Sequence, residues 1–129
     1  MKNIINFITG TLITGLVYFL GGWDIALQVL ILAVVLDYIT GICKAIYKKK
    51  LNSEIGLKGI VKKIGYFILV AVSVMLDRIT GDTGAIRTLV IYFFVANEGI
   101  SILENWGGMG IPFPQKLRDT LEQLKNDNK

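Results

Sequence analysis

The sequence predicts an all-α integral membrane protein with three or four transmembrane helices and a short amphipathic helix at the carboxyl end. Apolar residues make up 53% of the 129 residues and charged residues only 19%, which is too apolar for a soluble domain of this size. The apolar residues form long stretches, and about 20 helical residues cross a bilayer core. Basic residues are concentrated, since positions 44–63 hold seven Lys and one Glu in a chain of net charge +4. Such a concentration of positive charge is typical of a segment that sets the topology of a membrane protein.

The first apolar stretch predicts a span over about 4–22, because no charged residue lies between Asn3 and Trp23. Small residues recur along it at a spacing that lets helix backbones approach closely in lipid, and we favour packing inside the chain slightly over packing between copies. These residues are Gly10, Thr11, Thr14 and Gly15. The break at Gly21-Gly22-Trp23-Asp24 is so short that it predicts a tight antiparallel pair with the next helix.

The second stretch predicts a span over about 25–43, and a strongly basic segment follows it. The positive-inside rule places this basic loop, and with it the amino terminus, in the cytoplasm. The lysines assigned to the loop are Lys48, Lys49, Lys50, Lys58, Lys62 and Lys63. The amphipathic pattern of residues 54–63 predicts that this segment lies along the inner interface before the chain enters the membrane again.

The third and fourth spans are predicted over about 60–80 and 85–105. The apolar run between Lys63 and Asp77 has only thirteen residues, so it spans only if lysine side chains extend toward the interface. The last stretch reaches spanning length only if it includes Glu98. The sequence therefore does not decide between three and four spans, nor on which side of the membrane the carboxyl terminus lies.

Residues 1–110 are therefore predicted as a transmembrane helical domain and residues 111–129 as an amphipathic, charged tail. In this tail Leu117, Leu121 and Leu124 share one helical face, opposite a charged face. Such spacing suits a helix that lies at the interface or docks on a partner.

Two acidic residues lie inside predicted spans, where an isolated carboxylate costs several kcal/mol and needs a partner. By helical rise, Asp37 and Glu98 lie at similar depth, roughly 18 to 20 Å from the external helix ends. They form one polar layer, for which we favour a structural role, with Asp37 paired with Lys44 or Lys62, or with either carboxyl protonated and hydrogen-bonded. A role in lining a pore or in assembly is the alternative. The residues predicted for the layer are Asp37, Thr40, Gly41, Lys44 and Glu98.

The chain lacks His, and Cys43 is its only cysteine, so the sequence offers no disulfide, no Cys/His metal site and no His-based catalysis. The remaining charged residues form no recognisable nucleophile, base or metal set. We therefore expect no enzyme activity, no cofactor or metal, and no nucleic-acid partner.

Four passages together resemble the toxin-secretion and phage-lysis holin family of Gram-positive bacteria, their phages and clostridia. They are 36–46 (LDYITGICKAI), 51–60 (LNSEIGLKGI) with the lysines at 62 and 63, 97–105 (NEGISILEN) and 110–114 (GIPFP). Their order and spacing match the family pattern over roughly residues 25–125. The positions that look like family motif residues are Asp37, Gly41, Ser53, Gly56, Glu98, Ser101, Asn105, Pro112 and Pro114.

The resemblance implies a protein that accumulates in the bacterial cytoplasmic membrane, forms homo-oligomers and opens lesions. These lesions release an endolysin, with which no stable contact is expected, or a toxin. A small transporter or ion channel is an alternative, although small multidrug exporters place their essential acid in the first helix, and residues 3–23 have none. A non-conducting membrane adaptor, recruiting a partner through the basic loop and the terminal helix, is a further alternative.

Overall fold

The computed structural model describes residues 1–127, which form five α-helices. The helices are α1 (Lys2–Phe19), α2 (Ile25–Tyr47), α3 (Ser53–Ile79), α4 (Ala85–Gly108) and α5 (Gln115–Asp127). Within this part of the chain no residue lies in a β-strand, so the all-α prediction is confirmed. The last two residues of the predicted tail, 128 and 129, lie outside the described residues.

Three of the described helices, α2, α3 and α4, are long and apolar enough to cross a membrane. The fourth stretch, whose length was the least certain from sequence, is one continuous helix of 24 residues that includes Glu98. Helix α1 has 18 residues and is not among these three candidates, so a fourth span through α1 stays a prediction.

The predicted interfacial segment at residues 54–63 is wrong. Asn52 caps α3, its side chain accepting a hydrogen bond from the backbone N–H of Glu54, and the helix then runs unbroken to Ile79. Lys58, Lys62 and Lys63 are therefore helical residues, and only the lysines at 48–50 lie in the exposed connection between α2 and α3.

Helix α4 is the centre of the bundle, because it packs against α2, α3 and α5. Its inward face carries Ile91 and Phe94, which form the buried core with Leu30 of α2 and Val70 of α3. The ring of Tyr66 stacks on Phe94 with ring centroids 4.2 Å apart. Most other apolar side chains are exposed, as expected of a protein whose surroundings are lipid.

Helix α1 does not form the predicted pair with α2. Among the helices within residues 1–127, it contacts only α3. In the connection between α1 and α2, Gly21 and Gly22 have φ angles of +92° and +112°, which glycine adopts without strain. The two glycines of the small-residue face also meet no other helix in the described part of the chain, because a Cβ atom added to Gly10 or Gly15 would meet nothing within 4 Å. Among the described residues, the structure gives these glycines no packing partner inside the chain, and the role of the face stays a prediction.

Candidate functional site

The two acidic side chains inside the bundle, Asp37 and Glu98, form ion pairs with the same lysine. Lys63 Nζ lies 2.6 Å from Asp37 Oδ2 and 2.6 Å from Glu98 Oε2, so α3 bridges α2 and α4. The side chains of Lys63, Asp37 and Glu98 are 13%, 11% and 2% exposed. We call these three residues, with Asn105, the Lys63 cluster.

Asn105 completes the cluster from the end of α4. Its amide nitrogen donates to Asp37 Oδ1 at 3.1 Å and to Thr40 Oγ1 at 3.0 Å, while the Thr40 hydroxyl donates to the backbone oxygen of Leu36 at 2.8 Å. Gly41 faces this amide, since its Cβ position lies 3.6 Å from Asn105 Nδ2. Among the side chains of residues 1–126, no buried nitrogen or oxygen lacks a hydrogen-bond partner. The cluster therefore satisfies its own polar groups inside the bundle.

The structure brings together Asp37, Thr40, Gly41 and Glu98, which the sequence placed in one polar layer, but it leaves Lys44 out. Lys44 instead covers Gly108, where an added Cβ would lie 2.8 Å from its Cε atom. The sequence alternatives that paired Asp37 with Lys44 or Lys62 are also wrong, because the partner is Lys63.

Sequence reasoning missed Lys63 as a cluster residue because it was counted with the basic loop. A usable signal existed, since Lys63, Tyr66, Val70, Ser73 and Asp77 recur at helical spacing along one side of α3. The other four positions, Tyr66, Val70, Ser73 and Asp77, are partly or fully buried. The lysine therefore continues the inward face of α3.

A cleft of about 240 Å³ separates α2 from α3 beside the cluster. Its lining includes Asp37, Lys63 and Asn105, together with Lys50 and Asn52 from the basic connection. The cleft has room for water, so the polar groups of the cluster have an aqueous approach from the end of the bundle that carries the lysine-rich connection.

A second polar assembly lies at the opposite end of the bundle, around the buried Arg87. Its guanidinium donates to both carboxylate oxygens of Asp24, at 2.7 and 3.0 Å, and to the backbone oxygens of Leu20 and Gly22, at 2.6 and 3.2 Å. A Cβ atom on Gly21 would collide with this side chain. We call this assembly the Arg87 clamp, and it ties the connection between α1 and α2 to α4.

Acidic residues around the clamp also cap helices. Asp77, the last buried residue of α3, accepts hydrogen bonds from the backbone N–H groups of Ile86 and Arg87 at 2.9 and 2.8 Å, which satisfies the first turn of α4. Asp24 caps α2 by accepting from Leu27 at 3.0 Å. The hydrogen bonds from Arg87 hold the pKa of Asp24 below its ordinary value.

Arg78 provides a second tie to α1 at this end. Its guanidinium donates to the backbone oxygen of Tyr18 at 2.8 Å and lies 4.1 Å from the centre of the Tyr18 ring. The contacts of Arg78 and of the Arg87 guanidinium were not expected from sequence, because their partners lie 60 or more positions away in the chain.

Neither assembly has the composition of a metal centre. Among the side chains that the structure describes, those of residues 1–126, no group of three or more Cys, His, Asp or Glu is placed to hold a metal ion. The Lys63 cluster combines two carboxylates with one ammonium group, which is the composition of a buried ion pair that holds helices together.

The family model of the bacteriophage holin family matches residues 14–126. The chain belongs to that family. The match encloses the Lys63 cluster and the Arg87 clamp, and it confirms the resemblance drawn from the sequence passages. The holin family is not a family of enzymes.

Individual relatives agree with this membership. An uncharacterised 14.9 kDa protein from the nagH 3' region of Clostridium perfringens is 47% identical over 133 aligned positions, covering 98% of this chain and 98% of the relative. An uncharacterised protein of Listeria monocytogenes is 42% identical, covering 81% of this chain and 74% of the relative. A probable holin of Bacillus phage phi105 is 33% identical, covering 79% of this chain and 76% of the relative. No solved structure matches the chain.

The three candidate membrane spans and the membership of the holin family indicate that the chain is a multi-pass protein of the cytoplasmic membrane. The Lys63 cluster then lies among the spanning helices, and the Arg87 clamp lies where those helices end.

Proposed function

We propose that this chain acts as a holin, which oligomerises in the cytoplasmic membrane and opens lesions that release an endolysin or a toxin. The observation that carries the proposal is the holin family match over residues 14–126, which the relative described as a probable holin supports. The basic connection at 48–50 faces the cytoplasm in this proposal, and if α1 also crosses the membrane the amino terminus lies on the same side.

In this proposal the Lys63 cluster is an assembly element of each subunit. Lys63 and the two acids face one another, and together they hold α2, α3 and α4 at one level of the membrane. Because a buried charge that loses its partner is strongly destabilising, the three helices are expected to move as one body when the lesion forms.

The unpartnered face of α1 supports association between copies. Gly10, Thr11, Thr14 and Gly15 line an open groove along this helix, together with Asn6, Phe7 and Tyr18. Small residues let helices approach closely in lipid, so this face suits contact with a helix of a second copy.

Replacing Gly10 and Gly15 together with Leu is therefore expected to reduce cross-linking between copies and to delay lysis, with little change in subunit stability. The subunit tolerates the larger side chains because an added Cβ atom meets nothing within 4 Å at either position. Chemical cross-linking in membranes and the time of lysis after induction measure the two effects. The matched control is Leu16→Phe, which adds bulk at an exposed position of the same helix. Equal cross-linking in both variants would show that the small-residue face does not take part in association between copies.

The function itself is tested by inducing the chain in bacteria that also make a muralytic enzyme without an export signal. Abrupt loss of membrane potential, followed by lysis only in cultures with the enzyme, is the expected result. Unchanged potential and turbidity, at confirmed expression in the membrane, would contradict the holin proposal. Substrate-dependent resistance would then favour a transporter, and a stable cytosolic partner without any change in permeability would favour an adaptor.

A further inference from the structure

A furrow runs along the side of α2 that faces α3, and its walls change from apolar to basic toward the lysine-rich connection. Its deepest part is a pocket of about 340 Å³ between the two helices. Apart from Tyr38 and Lys63, the wall of this pocket consists of aliphatic side chains and Phe67. Tyr38 and Lys63 also line the cleft of about 240 Å³ beside the Lys63 cluster, so the pocket and the cleft adjoin.

The cleft leads in turn to a basic recess at the end of α2. The recess has a volume of about 260 Å³, and Lys44, Lys48 and Lys50 are part of its wall. Gly41 and Lys50 line both the recess and the cleft. The pocket, the cleft and the recess therefore follow one another along α2 as a single furrow.

A left-handed turn gathers the three lysines of the recess. Lys49 has a φ angle of +56°, and the backbone N–H of Lys50 donates to the carbonyl oxygen of Ala45 at 2.8 Å, which folds the connection back over the last turn of α2. Among the side chains of residues 1–126, no carboxylate forms an ion pair with Lys44, Lys48 or Lys50. The negative end of a helix dipole offsets only about half a charge, so most of the positive charge is left to attract an anion.

The furrow has the length of one leaflet of a bilayer. Asp24, the half-exposed cap at the other end of α2, lies twenty residues before Lys44, which is roughly 30 Å of helix and the thickness of a hydrocarbon core. The recess therefore begins where the hydrocarbon core meets the headgroups. From Val34 to Lys48 the furrow extends over roughly 21 Å, and half of a bilayer with its headgroup layer measures about 20 to 23 Å.

We propose that one phospholipid with an anionic headgroup binds in this furrow, with its phosphate among Lys44, Lys48 and Lys50 and one acyl chain in the pocket between α2 and α3. The order of the surfaces along α2 is the order of the groups in such a lipid, from the charged phosphate through the polar ester region to the hydrocarbon chain. Asp37 lies seven residues before Lys44, roughly 10 Å deeper, and is paired with Lys63, so it repels the phosphate little.

This inference goes beyond the proposed holin function, because it concerns a single subunit and needs no lesion. Its test follows lipid binding and not lysis. A failure to bind lipid would leave the holin proposal standing, and a failure to lyse cells would leave the lipid site standing.

The test compares two triple variants of equal charge. The site variant combines Lys44→Gln, Lys48→Gln and Lys50→Gln. The control combines Lys49→Gln, Lys58→Gln and Lys62→Gln, which removes three exposed lysines that belong to none of the three cavities. The full-length proteins are reconstituted in phosphatidylcholine vesicles that contain phosphatidylglycerol with a photoreactive group at the end of one acyl chain. The salt concentration is about 1 M, where the Debye length is about 3 Å and the diffuse attraction of exposed lysines is screened.

In the wild-type chain we expect the label on residues 34–39 of α2 and 60–67 of α3, which contribute the wall of the pocket. A lysine near an anionic headgroup contributes about fivefold in affinity, so the site variant should need about fivefold more probe, or still more, for half-maximal labelling. The control should stay close to the wild-type chain. An equal loss in both triple variants would overturn the inference, because it would show attraction to the overall charge and not to a site.

Competition identifies the ligand. Unlabelled phosphatidylglycerol should displace the probe, whereas phosphatidylcholine should displace it poorly. Equal displacement by both lipids would overturn the anionic headgroup. If glycerol phosphate dissolved in water displaces the probe as well as phosphatidylglycerol does, the recess binds a soluble phosphate and the lipid site is overturned.

A second variant tests the acyl end with all lysines in place. Val35→Phe adds bulk to the pocket, and its matched control, Leu32→Phe, adds bulk at an exposed position of α2 outside the pocket. Labelling of residues 60–67 should fall in Val35→Phe and stay unchanged in Leu32→Phe. Labelling that is equal in the two variants, or spread evenly over the exposed apolar positions of both helices, would overturn the inference.

Discussion

Replacing Lys63 with Met is expected to destabilise the folded subunit by about 3–5 kcal/mol, because it leaves two buried carboxylates without the cation that joins them. Both ion pairs measure 2.6 Å, and the three side chains are at most 13% exposed, so water replaces little of the lost interaction. The thermal midpoint of the purified protein in detergent should fall steeply, and the amount of protein in membranes should fall with it.

The matched control is Lys62→Met, which removes the same charge from the neighbouring, exposed position of α3. This variant should unfold close to the wild-type midpoint. Equal midpoints for the two lysine variants would show that the Lys63 cluster contributes nothing to stability.

A triple variant distinguishes the loss of a cation from the loss of lysine packing. Combining Lys63→Met with Asp37→Asn and Glu98→Gln removes all three charges while keeping similar side-chain sizes. We expect it to recover much of the lost stability, since replacing a whole buried ion cluster is less costly than removing one partner. A triple variant as unstable as Lys63→Met would point to packing of the lysine stem instead.

Replacing Arg87 with Met should destabilise the subunit by about 2–3 kcal/mol, because two backbone oxygens and one carboxylate lose their shared donor. The side chain of Asp24 is 50% exposed and regains water, so the larger part of the loss should come from the connection between α1 and α2. Thermal unfolding in detergent and proteolysis within residues 20–24 measure the two effects. Both the unfolding midpoint and the resistance of this connection to protease should fall.

Arg78→Gln is the control for the clamp, since Arg78 contacts α1 from an exposed position through one backbone oxygen and one aromatic ring. Its loss should lower the free energy of unfolding by less than about 1 kcal/mol. If Arg78→Gln loosens the α1–α2 connection as much as Arg87→Met does, the clamp does not position α1.

Composition and the lengths of the apolar stretches were enough to predict an all-α membrane protein, and the four sequence passages were enough to place it in the holin family. The first property depends on the hydrophobicity of long stretches and the second on short sequence motifs. Both can be read directly from the order of the residues. The same local reasoning located Asp37 and Glu98 at a common depth, because helical rise is uniform.

The tertiary structure decided which side chains meet. Neighbouring residues on a helix point about 100° apart, so whether Lys62 or Lys63 enters the bundle depends on how α3 is rotated against α2 and α4. Charge patterning along the chain does not define that rotation, which is why Lys63 was assigned to the basic loop. Likewise, the turn at Gly21 and Gly22 depends on Arg87, some 65 positions away.

What the sequence alone determined is thus the class of protein, its family and the amphipathic character of the terminal helix. The packing of whole helices decided the partner of the two acids, the open face of α1 and the docking of α5 onto α4. The physical reason is that hydrophobic periodicity specifies which face of a helix is buried, whereas the choice of neighbour is made by contacts between residues far apart in the chain.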